Sequence, residues 1–230
     1  MARDEVERLD PAAALAAFGR AVYSDLVSIV VLSVLFSLVS LPLVTIGAAT
    51  IALVETLTDV VSGELEGGGV SERDRVVHFL ETFRANVRRG LPLSVLLLAV
   101  VVVTGIYSTI ALAARDASFL LGAVVGLYAT VIAAALCLRT ASLLVRAPAD
   151  RRPAMRAALH DAAYHLLETP SFSVLVLVFA SVLIALCVAL QVAVVLLLPG
   201  LLGLLEVVSF EETSGEGARR VVLAYRGDPS

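Results

Sequence analysis

Apolar residues run almost unbroken through several long stretches of this chain, and the polar residues between them fall into a few short segments. A membrane-spanning helix needs about 20 mainly apolar residues. Residues 24–41 (SDLVSIVVLSVLFSLVSL) form the first such run, and Pro42 interrupts it. Residues 43–62 form a second, apolar to Val54 and polar beyond it, and residues 91–113 and 117–138 form a third and a fourth. Residues 171–210 make one apolar stretch of 40, too long for a single crossing. Its turn signal is Pro199-Gly200, which predicts a long helix over 171–197 and a short one over about 200–212. A turn near Gln191 would give two crossings of equal length, but no turn residue stands there. The pattern predicts an all-α, polytopic transmembrane helical bundle of about six membrane helices, two of them short.

Two of the intervening segments carry a helical period of their own. Val76, Leu80, Phe83 and Val87 fall on one face of a helix, and Met155, Leu159, Ala162 and Leu166 repeat the same spacing. Each segment is followed by a proline (Pro92, Pro170) and then by Ser-Val-Leu (94–96, 173–175), as a duplicated unit would be. The spacing predicts amphipathic helices over 71–89 and 152–168, lying at the cytoplasmic interface. In the first of them Leu80 and Phe83 turn toward lipid or protein, and Arg84 and Arg88 turn toward headgroups. The chain then divides into an N-terminal cytoplasmic segment (1–23), a transmembrane domain (24–212) and a cytoplasmic tail (213–230).

The basic residues orient this arrangement. All 17 of them are arginine, and cytoplasmic ends of membrane helices carry the excess of Arg and Lys. Arg3, Arg8 and Arg20 precede the first helix, and Arg73, Arg75, Arg84, Arg88 and Arg89 separate the second from the third. Arg139, Arg146, Arg151, Arg152 and Arg156 separate the fourth from the fifth, and Arg219, Arg220 and Arg226 lie in the tail. Six crossings put every one of these on the cytoplasmic side and leave Arg115 alone outside. Both termini are expected in the cytoplasm.

Composition agrees with the pattern. Hydrophobic residues make up 59% of the chain and charged residues 17%, with a mean hydropathy of +0.95, whereas soluble domains carry about a quarter charged residues. The 21 acids and the absence of lysine point to a GC-rich genome and a halophile-like, high-salt cytoplasm. A net charge of −4 argues against a nucleic-acid partner, which needs a basic face. Cys137 and Cys187 both lie in apolar runs and read as small apolar residues, without a disulfide or a metal. The first 20 residues mix acid and base, so they are not expected to be a secretory signal peptide.

The most specific string is SLVSLPLVTIGAATIAL (37–53). Pro42 ends one helix, Thr45 can cap the next through its hydroxyl, and Gly47 begins a small-residue surface that lets helix backbones approach closely in lipid. The string resembles the signature of the YesL-like family of bacterial membrane proteins, the domain-of-unknown-function family 624. Residues 40–48 follow that family's Ser-Leu-Pro-hydrophobic-hydrophobic-Thr-Ile-Gly-Ala run, and Phe79, Phe83 and Asn86 in HFLETFRANVRRG fit its basic amphipathic stretch. Where the family often carries an Asn in its first helix, Ser33 stands here. The resemblance covers the layout of most of the chain and, residue by residue, about 37–100. It implies an integral membrane protein associated with carbohydrate uptake and ABC-transporter subunits, with no catalytic residues to carry over.

Charges in or near a span are functional candidates by default. Asp25 opens the first helix, where the helix dipole favours a carboxylate. Glu55 and Asp59, four apart, share one face and could bind a cation or relay protons. Glu206 sits among Leu204, Leu205, Val207 and Val208, with Arg139 or Arg88 as candidate partners. His160 and His165 are five apart, which does not put both on one helical face, while Asp161 and His165 could pair. Gly122 and Gly126 form a GxxxG ridge, extended by Thr130 and Ala134, that favours packing within the chain. No catalytic constellation, nucleotide loop or metal set stands out, so no enzyme activity, cofactor or metal is expected. The leading expectation is a transport-associated accessory or regulatory protein whose partners are the lipid bilayer and other membrane-protein subunits. A small-solute permease is the rival, because helices broken at Pro42 and Pro199 are the kind that build transporter sites.

Overall fold

The computed structural model describes residues 11–62, 71–114, 116–147, 153–168 and 170–214, and these are helical apart from short turns. In order come α1 (Pro11–Ser24), α2 (Leu26–Val39), a 3-10 turn (Leu43–Thr45), α3 (Ile46–Val61), α4 (Glu72–Ala114), α5 (Ala117–Arg146), α6 (Met155–Glu168), α7 (Pro170–Ala189), the single-turn α8 (Ala193–Leu196) and α9 (Leu198–Ser214).

The centre of the bundle is α3. Twelve of its 16 residues are buried, on every side of the helix. The sequence explains this: from Ile46 to Leu53 it offers only apolar or small side chains, and a helix apolar all round seeks burial. It packs against α4, α5, α9 and α2. Around it α4, α5 and α7 differ sharply. Their most apolar windows reach mean hydropathies of 2.5, 2.3 and 2.9, yet at most 11% of any of them is buried within the chain. Val102, Ile106, Leu121 and Tyr128 on the α4–α5 hairpin, and Val174, Val178 and Val182 on α7, are exposed.

Among the described residues, four helices are long and apolar enough to cross a membrane: Leu43–Val61, α4, α5 and α7. A fifth follows if α1 and α2, which meet at an 85° bend, form one broken span. The expectation of about six membrane helices, two of them short, thus meets four or five candidate spans among the described residues. The first expected crossing contains a helix of only 14 residues, ~21 Å at the usual rise against a hydrocarbon core of about 30 Å. The last, α9, has 17 residues and is buried along most of its length.

Two further expectations are corrected by the packing. The turn in 171–210 lies at Leu190–Val192, with Gln191 at a φ of 48°, and not at Pro199-Gly200. Pro199 is the second residue of α9, where its missing N–H would have had no intrahelical partner in any case. Likewise Pro92 does not end the segment 71–89. That segment continues into one helix of 43 residues, ~65 Å long. Gly90 before the proline and Leu93 and Ser94 after it are buried together with Phe79, Thr82 and Asn86 in one stripe against α3, which holds the two halves in register. That stripe, and not Val76, Leu80, Phe83 and Val87, is the most buried face. Leu80 and Phe83 flank it, half-buried against the core, while Arg84 and Arg88 are exposed. The second segment forms α6, with Ala158 and Ala162 buried and Met155 and Leu159 packed against the core; residue 152 lies outside the described residues. So do the tail arginines and residues 1–10 of the N-terminal segment, whose remainder forms α1.

Candidate functional site

Two helix starts are held by serines from other helices. The first N–H groups of a helix have no partner within it, and in an apolar setting an unsatisfied one is costly. Ser94 of α4 accepts from the Gly47 N–H at 2.8 Å and donates to Gly90 O at 3.3 Å. Ser33 of α2 accepts from the Gly200 N–H at 2.9 Å and donates to Leu197 O at 3.4 Å. Ser37, one turn on, donates to Val195 O at 3.3 Å. The stretch of α2 before Pro42 is thus fastened to the chain on either side of Pro199, so the two proline interruptions belong to one assembly. Thr45 does not cap α3 as its position suggests. Its hydroxyl points back along the chain, donating to Val39 O and lying 3.0 Å from Pro42 O. The carbonyls freed by the Pro42 break compete for that hydroxyl and win.

The buried charges gather between α5 and α9. Arg139, Ser142 and Arg146 project from one face of α5 at helical spacing. Glu206, Phe210, Glu211 and Thr213 meet them from α9. Arg139 Nε stands 3.1 Å from Glu206 Oε1, with both side chains under a tenth exposed. Ser142 donates to the same Glu206 oxygen at 3.3 Å, and Arg139 Nη1 donates to Thr213 Oγ1 at 3.3 Å. One turn further, Arg146 Nε donates to Glu211 Oε1 at 2.7 Å, and its Nη2 donates to the same oxygen. The Phe210 ring lies under both guanidinium groups, 5.1 Å from Arg139 Cζ and 4.1 Å from Arg146 Cζ, within cation–π range. His165 of α6 approaches that ring at 6.2 Å. The cluster sets two arginines against two glutamates, and burial makes each pair depend on its partner being present.

Of the partners considered for Glu206, Arg139 is the one in contact. Arg146, Phe210 and Glu211 were not visible as site residues. Glu206 and Glu211 are five apart, a spacing that places them on different sides of a helix in projection, and only the breadth of the α5 face joins them. The other candidate charges are distributed elsewhere. Asp59 Oδ2 stands 2.9 Å from His78 Nε2 of α4, and Glu55, one turn earlier, is half-buried on α3. Glu72, Arg75 and Ser28 form a small clasp between α4 and α2, with Ser28 Oγ 3.0 Å from Glu72 Oε1 and Arg75 Nη1 2.6 Å from that oxygen. Asp161 and His165 could have paired by spacing, but Asp161 faces His160 at 3.9 Å and His165 faces Glu168 at 3.9 Å. Among the described residues no three His, Cys, Asp or Glu side chains converge as a metal site would require.

The Gly122–Gly126 ridge packs within the chain. A Cβ at Gly122 would lie 2.4 Å from the Tyr107 ring, and one at Gly126 would lie 2.7 Å from Thr104 Oγ1. Thr130, one turn on, meets Thr104 hydroxyl to hydroxyl at 3.2 Å.

No protein-family model matches the chain, and neither does any curated protein or solved structure. The functional reading therefore rests on the residues themselves.

Proposed function

We propose that this protein is an integral membrane protein of the YesL-like kind, an accessory or regulatory subunit acting through contacts with transporter components. The observation that carries the reading is the pairing of two unlike regions in one chain. The body around α3 is closed by backbone contact and by ion pairs made within it, while the α4–α5 hairpin and α7 present apolar surface that their own chain leaves uncovered. Surface of that extent marks a lipid or partner interface.

The same proposal carries a topology. The helices pair as α2/α3, α4/α5 and α7/α9, with turns at Pro42, Asp116 and Gln191. Each pair leaves and returns to the same side, whether it crosses fully or only enters the bilayer. The arginine-rich segments then all stay cytoplasmic, as the six-crossing reading had them, and Arg115 alone is external. Under this topology α6 and the first half of α4 lie at the cytoplasmic face, and both termini are cytoplasmic.

Purification of the tagged full chain in mild detergent, followed by mass spectrometry, tests the function. Recovery of ABC-transporter subunits supports the accessory reading, and recovery of the chain alone removes it. A permease is the second reading. It is favoured by the fastening of the Pro42 and Pro199 interruptions to each other through Ser33 and Ser37. Uptake of labelled solutes by proteoliposomes of the purified chain would select it.

A further inference from the structure

Because α4 runs through Pro92 as one helix, its outward face is a single line. Arg84, Arg88, Leu91, Val95, Ala99 and Val102 recur every three or four residues along it, and all are exposed, which places them on one stripe. The stripe changes character within one turn. Two guanidinium groups stand at one end, and from Leu91 onward the surface is apolar, with Val95 62% exposed. Neither Arg84 nor Arg88 makes an ion pair or a side-chain hydrogen bond among the described residues, whereas Arg75, Arg89, Arg139 and Arg146 are each held by a partner within the chain.

We propose that this stripe binds an anionic phospholipid, its phosphate between Arg84 and Arg88 and one acyl chain along Leu91, Val95, Ala99 and Val102. The inference rests on the membrane reading above and adds to it a headgroup-selective surface. Charge complementarity chooses the occupant. Arg84 and Arg88 are one helical turn apart, so a single phosphate reaches both guanidinium groups in charge-assisted hydrogen bonds. Leu91 to Val102 covers ~17 Å of helix, close to half of a hydrocarbon core of about 30 Å, which is one leaflet. An acidic segment of a protein partner would match the arginines but not the apolar run that continues directly from them. Glu81 is also exposed on this line, but it lies on the side of the arginines away from the apolar run and pairs with neither. α7 is the contrast: its apolar run begins just after exposed Glu168, so it should meet lipid without preferring an anionic headgroup.

The chain contains no tryptophan, so a single introduced one reports on its own surroundings. The test reconstitutes the full-length protein carrying Val95→Trp in vesicles and quenches its fluorescence with phosphatidylglycerol or phosphatidylcholine brominated in one acyl chain. Competition between the two lipids gives a relative binding constant at that position. At low salt it should favour phosphatidylglycerol, by up to about fivefold per arginine, and molar salt should reduce the preference. Ala99→Trp, one turn on, should agree and serves if the first variant fails to fold. Val178→Trp on α7 should give a ratio near one. Adding Arg84→Gln and Arg88→Gln should bring the Val95→Trp ratio near one and leave quenching by phosphatidylcholine unchanged, whereas Arg84→Lys with Arg88→Lys should keep the preference. A ratio near one at both α4 reporters with the arginines in place overturns the lipid site and leaves the two guanidinium groups to an acidic partner. A preference that survives the glutamine pair overturns it as well. Both outcomes leave the membrane reading intact. Absence of quenching by either lipid at all three reporters overturns the membrane reading itself.

Discussion

Gly47 and Gly90 meet backbone to backbone where α3 crosses α4. A Cβ on Gly47 would stand 2.1 Å from Gly90 O, and a Cβ on Gly90 would stand 2.3 Å from Ala48 N. Backbone cannot yield as a flexible side chain can, so even one methyl forces the helices apart and uncouples the Ser94–Gly47 hydrogen bond. Gly47→Ala and Gly90→Ala should each sharply lower the yield of monodisperse protein, and Gly47→Leu should abolish it. Gly105→Ala is the control, since nothing lies within 4 Å of its added carbon. Thermal melts of the purified variants decide, and a Gly90→Ala protein that melts like the parent would refute the contact.

The Arg139–Glu206 pair predicts a non-additive pattern. Removing one member leaves a buried, uncompensated charge, which costs about 3–5 kcal/mol, whereas replacing both with apolar residues is often close to neutral. Arg139→Leu or Glu206→Leu alone should therefore destabilise strongly, and the double substitution should recover much of the loss. A double variant as unstable as the sum of the singles would show that the pair holds something besides itself. Unfolding in detergent with increasing denaturant measures all three.

Much of the architecture is legible in the pattern of residues. One helix ends at Ala114 and the next begins at Ala117, where the apolar runs break, and Asp116 caps α5 by accepting from the Ser118 N–H at 2.8 Å. Gly47 announces close packing through its small neighbours, although its partner Gly90 lies in an arginine-rich stretch that gives no sign of burial. The prolines mislead for a physical reason. Proline marks a break only when the surrounding helix has nothing else to hold it, and Pro92 sits in a helix clamped to α3 on both sides. Gln191 is the converse: no residue preference marks the turn, which tertiary contacts at Ser33 and Ser37 impose. Glu206 stands out in an apolar run, but Glu211 is hidden because it lies where the chain was expected to leave the membrane.

The interhelical serines should matter more than serines bonded within their own helix. Ser33→Ala and Ser94→Ala each leave a buried first-turn N–H without an acceptor, at a cost of about 1–3 kcal/mol. Ser181 is exposed and donates to Leu177 O of its own helix at 2.8 Å, so Ser181→Ala should change stability little. Melting temperatures of the three variants, compared in one detergent, test the ranking. Equal effects at all three positions would mean that the helix starts find other acceptors.

The proposed topology makes a labelling prediction. Single cysteines at Ser71 and Ala154, both exposed, should be blocked only by reagents that reach the cytoplasm, and one at Ala117 should react from outside. The two native cysteines are buried and should stay silent. External labelling at Ser71 would reverse the assignment of α2 and α3 as a pair that returns to its own side.

The attachment of the first half of α4 separates packing from charge. Phe79 is fully buried against the body of the protein, while Arg84 and Arg88 are exposed on the same helix. Truncating a buried Phe costs about 3–5 kcal/mol through lost contacts and the cavity left behind. A juxtamembrane arginine near anionic lipid is worth about 1 kcal/mol and less when salt screens it. Phe79→Ala should therefore free residues 72–90 to protease added to inverted vesicles, and Arg84→Gln with Arg88→Gln should barely change the digestion. Raising salt to molar levels should leave that order unchanged, because dispersion contacts are not screened. If the arginine pair instead proves the more damaging at high salt, the two guanidinium groups hold a specific partner, and the proposed regulatory contact lies there.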